Sequence, residues 1–214
     1  MNANLIWATP NADELLAYIA RVSNPKNQDN PNIEKLLHYM EREGHVSPFT
    51  MANMCVEVNT TRVIGRQMLR HWTLAVQEFS QRYEDVSLLG DFTILEARMR
   101  DEKNRQNSIP CDDPDVVEEF EQMQREHIEA SVDKYRRALA LGIAKEQART
   151  FLPEGNTPSR LYFNGTLRSW IHYLKVRLDP STQKEHRVIA DEIKDILYTV
   201  APVTHAAFFP PEGK

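Results

Sequence analysis

The chain has 214 residues, with 26 Lys and Arg against 31 Asp and Glu; the formal charge is −5 and the pI near 5.8, so no net positive field draws in nucleic acid or an anionic membrane. At 41% hydrophobic content it is long enough to bury a real core, and no run approaches the ~20 apolar residues of a membrane span. Two cysteines, Cys55 and Cys111, are too few for a disulfide framework, and no apolar leader precedes Asp13 and Glu14, so a reducing, cytoplasmic setting is expected.

Leu5–Ala8 is a short apolar run closed by Thr9-Pro10 and predicts a strand. Asn11, with Glu14 three residues on, has the form of a capping box and opens a helix whose face reads Leu15, Tyr18, Ile19 and Val22. After a polar loop, Asn24 to Pro31, a second helix places Ile33, Leu36, Leu37 and Met40 inward and stops at Gly44. His45–Thr50 connects. From Ala52 the period becomes two: Ala52, Met54, Val56 and Val58 alternate with Asn53, Cys55, Glu57 and Asn59, a strand with one buried face. Thr60 or Thr61 caps a third helix running to about Trp72, with Val63, Ile64, Met68 and Leu69 inward and Arg62, Arg66 and Arg70 in a stripe on another face.

Thr73 to about Val86 reads as extended with a turn, which sets Glu78, Ser80 and Arg82 on one side at period two. Arg98–Pro114 is charged and loop-like. Val116 to Leu141 predicts a long amphipathic helix with Phe120, Ile128, Val132, Tyr135 and Leu139 on its face, ended by Gly142. A shorter helix covers Ala144 to Phe151 and stops before Pro153. Thr166 opens another, with Leu167, Trp170, Ile171 and Leu174 as its apolar stripe, Arg168, His172 and Lys175 on the polar side and Arg177 at its end. Thr182 with Glu185 repeats the capping-box pattern before a last helix through about Tyr198. The sum is α+β: one helix-rich domain, 1–214, with a small, mainly antiparallel sheet.

Arginine's planar fork matches phosphate oxygens, and Arg70, Arg82, Arg149 and Arg177 all stand at the ends of predicted elements. Any one of them taken singly reads as a solvated surface cation. Ser80 has no histidine–acid pair visible to activate it, so it reads as a hydrogen-bonding group and not a nucleophile. No His-Glu-x-x-His or Cys-x-x-Cys occurs among the seven histidines and two cysteines, and no Gly-x-Gly-x-x-Gly or P-loop among the seven glycines. Neither a metal site nor a Rossmann cradle is expected. Cys111 lies among Asp112, Asp113 and Asp115, which oppose a thiolate.

Arg70-His71-Trp72, seven residues, then Ser80-Gln81-Arg82 resembles the signature of the flavin-dependent thymidylate synthases. So do, in order, Ala20-Arg21-Val22-Ser23, Gly44-His45-x-Ser47-Pro48-Phe49, Arg66 to His71, Gly142 to Arg149, Leu152-Pro153, and the Thr166–Arg177 helix followed by Gln183-x-Glu185. The likeness spans about residues 1–200, and Lys103 to Ser108 is similar to the shorter viral and phage-type members. The resemblance implies reductive methylation of dUMP to dTMP, with methylene-tetrahydrofolate as carbon donor, FAD as hydride carrier and NADPH as its reductant, in a homotetramer. By position, Gln67, Arg70, Glu78, Ser80, Gln81, Arg82 and Arg149 would contact the nucleotide, and Arg177 would sit beside the uracil ring as the catalytic cation. Ser23, His45, Ser47, Arg70, His71, Trp72, Glu78, Thr166, Arg168 and His172 would line the flavin site.

Three positions depart from the family pattern. Trp72 replaces the triplet's last arginine, Thr50 stands where many members carry glutamate, and His172 where asparagine is common. They keep two alternatives open: a related dUMP modification such as hydroxymethylation, or an inactive nucleotide-binding protein.

Overall fold

The computed structural model describes residues 1–211. In chain order its first half runs β1 (Asn2–Ala8), α1 (Ala12–Ala20), α2 (Glu34–Arg42), β2 (Asn53–Thr61), α3 (Arg62–Met68), β3 (Ala75–Glu78), β4 (Arg98–Arg100) and β5 (Ser108–Pro110). The second half runs α4 (Pro114–Ala140), α5 (Lys145–Ala148), β6 (Pro158–Thr166), α6 (Leu167–Arg177), α7 (Lys184–Val200) and α8 (Pro202–Phe208). The main sheet is antiparallel in the order β1-β2-β6-β3, and β4 pairs with β5 alone. This is the expected α+β architecture. No helix among the described residues is long and apolar enough to cross a membrane.

β2 follows its alternation: Met54, Val56 and Val58 are wholly buried while Asn53, Cys55 and Glu57 are not. The predicted elements omit β6, which pairs with β2 over its whole length and takes β3 on its other edge. Its period-two signal, Leu161 and Phe163 buried against exposed Arg160 and Tyr162, is short and follows the polar stretch Asn156–Ser159, itself buried here. β6 runs straight into α6 through Gly165, where a Cβ would meet the Leu74 side chain. Thr166 then caps α6, its Oγ1 accepting from the Ser169 amide at 3.2 Å.

α6 buries the predicted stripe, and Tyr173 with it. The Trp170 indole donates to the Met54 carbonyl at 3.0 Å, tying helix to sheet. Each such large side chain contributes roughly 1.5–3 kcal/mol by leaving water.

Several local expectations are corrected. Asn11 adopts a left-handed backbone (φ 48°) and makes no side-chain cap. α1 buries Ala12, Asp13, Leu16 and Ala17 and leaves Tyr18 and Val22 outside. The face is turned because the Asp13 carboxylate caps α8, an element absent from the predicted set. At the start of α7 no side chain caps the helix, and Thr182 Oγ1 instead donates to the Val176 carbonyl at 3.3 Å.

α3 ends at Met68, because the chain must turn back to enter β3, and Trp72 is left 88% exposed. The segment read as a charged loop holds the β4–β5 hairpin, pinned by Arg98, whose Nη2 donates to the Ser108 carbonyl at 2.6 Å. α4 starts on its Asp113 cap, but only Ser131, Tyr135 and Ala138 are buried, and Phe120 stays exposed. Its predicted apolar face is covered by this chain only toward the helix's C-terminal end.

Candidate active site

The end of α3, the inner face of α6 and the first turn of α7 converge on one cluster. Arg177 donates from Nε to His71 Nε2 at 2.9 Å and from Nη2 to the Gln67 carbonyl at 3.4 Å. A guanidinium only donates, so His71 Nε2 must accept and its proton sits on Nδ1. Burial, then the nearby Arg177, His172 and Arg70 charges, hold His71 down at about 4. Burial also lowers Arg177, and Arg70 adds to that.

His186, wholly buried on α7, lies 3.1 Å from Gln67 Oε1 through Nδ1 and 3.1 Å from the Tyr173 hydroxyl through Nε2. Burial, with Arg177 and His71 nearby, takes His186 to about 3. Burial raises the Tyr173 hydroxyl above its usual range.

These two histidines fold as neutral groups, whereas an unfolded histidine titrates near ~6.5. As pH falls through that value the unfolded chain takes up protons that the folded one refuses, so stability declines toward the folded values of about 4 and about 3. The slope is at most about 1.4 kcal/mol per pH unit for each histidine, and less for the partly exposed His71. Melting temperature is expected to be lower at about pH 5 than at about pH 7.5; equal values would contradict the buried neutral pair.

A second set gathers where β3 ends. Glu78 accepts from Arg62 at 3.2 Å and from the Ser159 hydroxyl at 2.9 Å, with Arg66 4.0 Å away. Arg62, Arg66, Gln81, Arg149 and Thr157 line a cavity of about 240 Å³, and the buried Gln81 Nε2 finds no acceptor among the described residues. Arg82 pairs with the Glu146 carboxylate at 3.1 Å, and Arg149 donates to the Glu146 carbonyl at 3.3 Å. The strand ends at Glu78 and the chain turns, with Tyr83 and Glu84 amides on the Ser80 carbonyl at 3.0 and 3.1 Å. The period-two argument for Glu78, Ser80 and Arg82 therefore stops short of Arg82; Ser80 Oγ accepts from the Arg82 amide at 3.4 Å.

Within one chain the two sets stand side by side on α3, which sends Arg62 and Arg66 to one and Gln67 to the other. No hydrogen bond or ion pair joins them among the described residues. Of the residues expected at a flavin, Arg70, His71 and His172 belong to the first set, the His71 and His172 ring centroids being 6.3 Å apart. Glu78 belongs to the second. Thr166 is taken up as the α6 cap. Ser23, His45, Ser47 and Arg168 are exposed outside both; His45 meets the Tyr39 ring edge-on at 5.9 Å, and the Ser47 carbonyl accepts from Thr50 at 2.6 Å.

Arg70 and Arg168 have no carboxylate partner among the described residues, and the bare Trp72 indole stands beside Arg70 in the chain. An unneutralised guanidinium two residues from an exposed aromatic suits a ring-bearing anion such as a flavin nucleotide. Among the described residues no group of His, Cys, Asp and Glu could hold a metal ion. Tyr173 and His186 are site residues that no motif or spacing marks; only the contact between α6 and α7 reveals them.

A model of the family described as thymidylate synthase complementing protein matches residues 4–203. A flavin-dependent thymidylate synthase of a Synechocystis strain is 50% identical over 193 residues, covering 90% of this chain and 87% of that protein. A probable flavin-dependent thymidylate synthase of Paramecium bursaria Chlorella virus 1 is 41% identical over 210 residues, covering 94% and 96%. In three dimensions, a UMP/dUMP methylase from Streptomyces cacaoi bound with 5-Br dUMP superposes with a TM-score of 0.86 at 26% identity, covering 96% of this chain and 93% of that one. The chain belongs to the thymidylate synthase complementing protein family and is an enzyme of the flavin-dependent thymidylate synthase kind.

Proposed function

We propose that the protein converts dUMP to dTMP by reductive methylation, taking the carbon from methylene-tetrahydrofolate and the hydride from FAD reduced by NADPH. The observation that carries this reading is the pair Arg70 and Arg177: Arg177 is partly desolvated and feels the charge of the exposed Arg70, and neither meets a carboxylate among the described residues. Such a pair stabilises an anion, and the relatives' names and the bound nucleotide analogue of the structural neighbour point to dUMP.

The flavin supplies the hydride chemistry when bound, and the protein supplies placement. Arg70, Arg168, His71, His172 and Trp72 are the residues that would hold it, with Ser23, His45, Ser47, Thr166 and Glu78 contributing by the family pattern. Arg70, Arg82, Arg149, Ser80 and Gln81 would bind the nucleotide's phosphate, and Glu78 and Gln67 its neutral parts. Arg177 would face the uracil ring and stabilise the negative charge that develops on it, a role that needs no protein nucleophile. Because the two sets are not joined within one chain, a homotetramer that brings one subunit's Arg70–Arg177 set against another's Arg82–Arg149 set would complete the site.

Purified protein is expected to show flavin absorption that changes on adding dUMP, and to form a product heavier by one methyl group. A colourless protein that FAD does not reconstitute would overturn the reading, and a hydroxymethyl mass would redirect it to the related modification. Arg82→Ala and Arg149→Ala are each expected to weaken dUMP binding by about 1.5–3 kcal/mol; unchanged affinity in both would remove them from the site.

A further inference from the structure

The side chains behind Gln67 form a chain of hydrogen bonds with a single direction. Glu185 is at one end: its carboxylate accepts from Gln183 Nε2 at 2.9 Å. Gln183 must then turn its Oε1 outward, where it accepts from Gln67 Nε2 at 2.7 Å. That leaves Gln67 Oε1 facing His186 Nδ1 at 3.1 Å, and an amide oxygen only accepts, so Nδ1 carries the imidazole proton. Nε2 is therefore an acceptor, and the Tyr173 hydroxyl, 3.1 Å away, donates to it. The polarity Tyr173 to His186 to Gln67 to Gln183 to Glu185 follows from the carboxylate alone.

The same residues close a ring around Arg177. Tyr173 meets His71 edge-on, centroids 4.9 Å apart; His71 accepts from Arg177 Nε, and Arg177 Nη2 reaches the Gln67 carbonyl. Gln67 is thus held at its main chain by Arg177 and at its side chain by His186. One N–H and one lone pair of its carboxamide remain for a ligand, and the Nδ1 proton of His186 locks from the inner side the orientation that Gln183 sets from the outer one.

We propose that His186 is a positioning residue, which together with Tyr173 fixes the orientation of the Gln67 carboxamide toward the nucleotide. This rests on the nucleotide reading above and goes beyond it, since neither His186 nor Tyr173 touches the ligand in that reading. The wholly buried, neutral imidazole suits this role, because a cation there would press on Arg177, whereas the neutral ring passes on a direction without a charge.

Two measurements test it. In protein carrying 15N-labelled histidine, the His186 signals, assigned by their loss in His186→Asn, are expected to show a protonated Nδ1 and a bare Nε2; a proton on Nε2 would overturn the wiring. Dissociation constants for dUMP supply the second arm. Asparagine places an amide N–H within reach of the Nδ1 position, whereas glutamine reaches the Nε2 position and abandons Gln67. His186→Asn is expected to stay within about threefold of the parent and His186→Gln to weaken by roughly tenfold, the worth of one hydrogen bond. Equal losses in the two variants would mean that His186 only fills space, which overturns the proposal. A parent protein that bound no dUMP would sink the nucleotide reading and that half of the proposal with it, while the tautomer would still decide the wiring.

Discussion

Arg177→Ala is expected to lower kcat by about 10²–10³-fold, the usual cost of removing one group that meets developing charge. The structure makes Arg177 a cation held in place from behind: Nε on His71, Nη2 on the Gln67 carbonyl, and burial that already disfavours its charge. A guanidinium so placed, lacking an acid partner among the described residues, is poorly solvated until an anion arrives. Its removal should therefore not cost stability; relieving an unpaired, partly buried charge is neutral or favourable. The expected signature is a large fall in turnover with a melting temperature unchanged or raised. His71 would lose a donor and a neighbouring positive charge together, so its pKa would climb from about 4. Arg177→Lys keeps the charge but cannot hold both anchors, and should recover only part of the rate. A variant with full turnover would show that the uracil ring lies elsewhere, and a variant that lost activity only by unfolding would make Arg177 structural.

The split between what is legible in the chain and what is not has a physical basis. β2 declares itself because its burial is one-sided and alternation is the direct consequence of a pleat. α6 does so because four of its apolar residues recur at helical spacing. β6 escapes such a reading although it lies between β2 and β3, since Asn156, Thr157 and Ser159 are polar yet buried, and the side chains of Asn156 and Ser159 find their partners in distant segments. α1 is rotated for a similar reason: an acid marks a solvent face unless something far away needs it.

The arginines stand out one by one, by the ends of elements and by likeness to a family. That they sort into two sets on either side of α3 is a property of the turn after Met68 and the turn after Ser80, which no pattern of residues announces. His186 is the extreme case. It carries no motif and owes its interest to a carboxamide more than a hundred positions earlier.

Asp13→Ala is expected to destabilise the fold by about 3–5 kcal/mol, because three donors, two of them buried, lose their acceptor and each unpaired buried group costs about 1–3 kcal/mol. The Asp13 carboxylate, 3% exposed, takes the Val203 amide at 2.7 Å, the Thr204 amide at 3.0 Å and the Thr204 hydroxyl at 2.5 Å. α8 has no cap of its own: Ala201 precedes it with no polar side chain, and Pro202 opens it. The acid thus does for α8 what an N-cap residue does for other helices, with the added favour of an anion at the positive end of the helix. α8 in turn sets Phe208 edge-on against the wholly buried Phe49, centroids 5.0 Å apart, so its loosening would open the core beneath α1 and α2.

Asp13→Asn keeps one acceptor but presents an NH₂ to a donor, and should lose about half as much. Thr204→Val removes one donor with its need, and should cost no more than about 1 kcal/mol. Denaturant midpoints would rank the three, alanine worst. A loss below about 1 kcal/mol for Asp13→Ala would mean that water reaches the α8 terminus and replaces the acid. Because the carboxylate lies on α1, away from both arginine sets, dUMP affinity measured well below the melting range should not change. That separates this acid from Arg177, whose loss is expected to spare the fold and stop the chemistry.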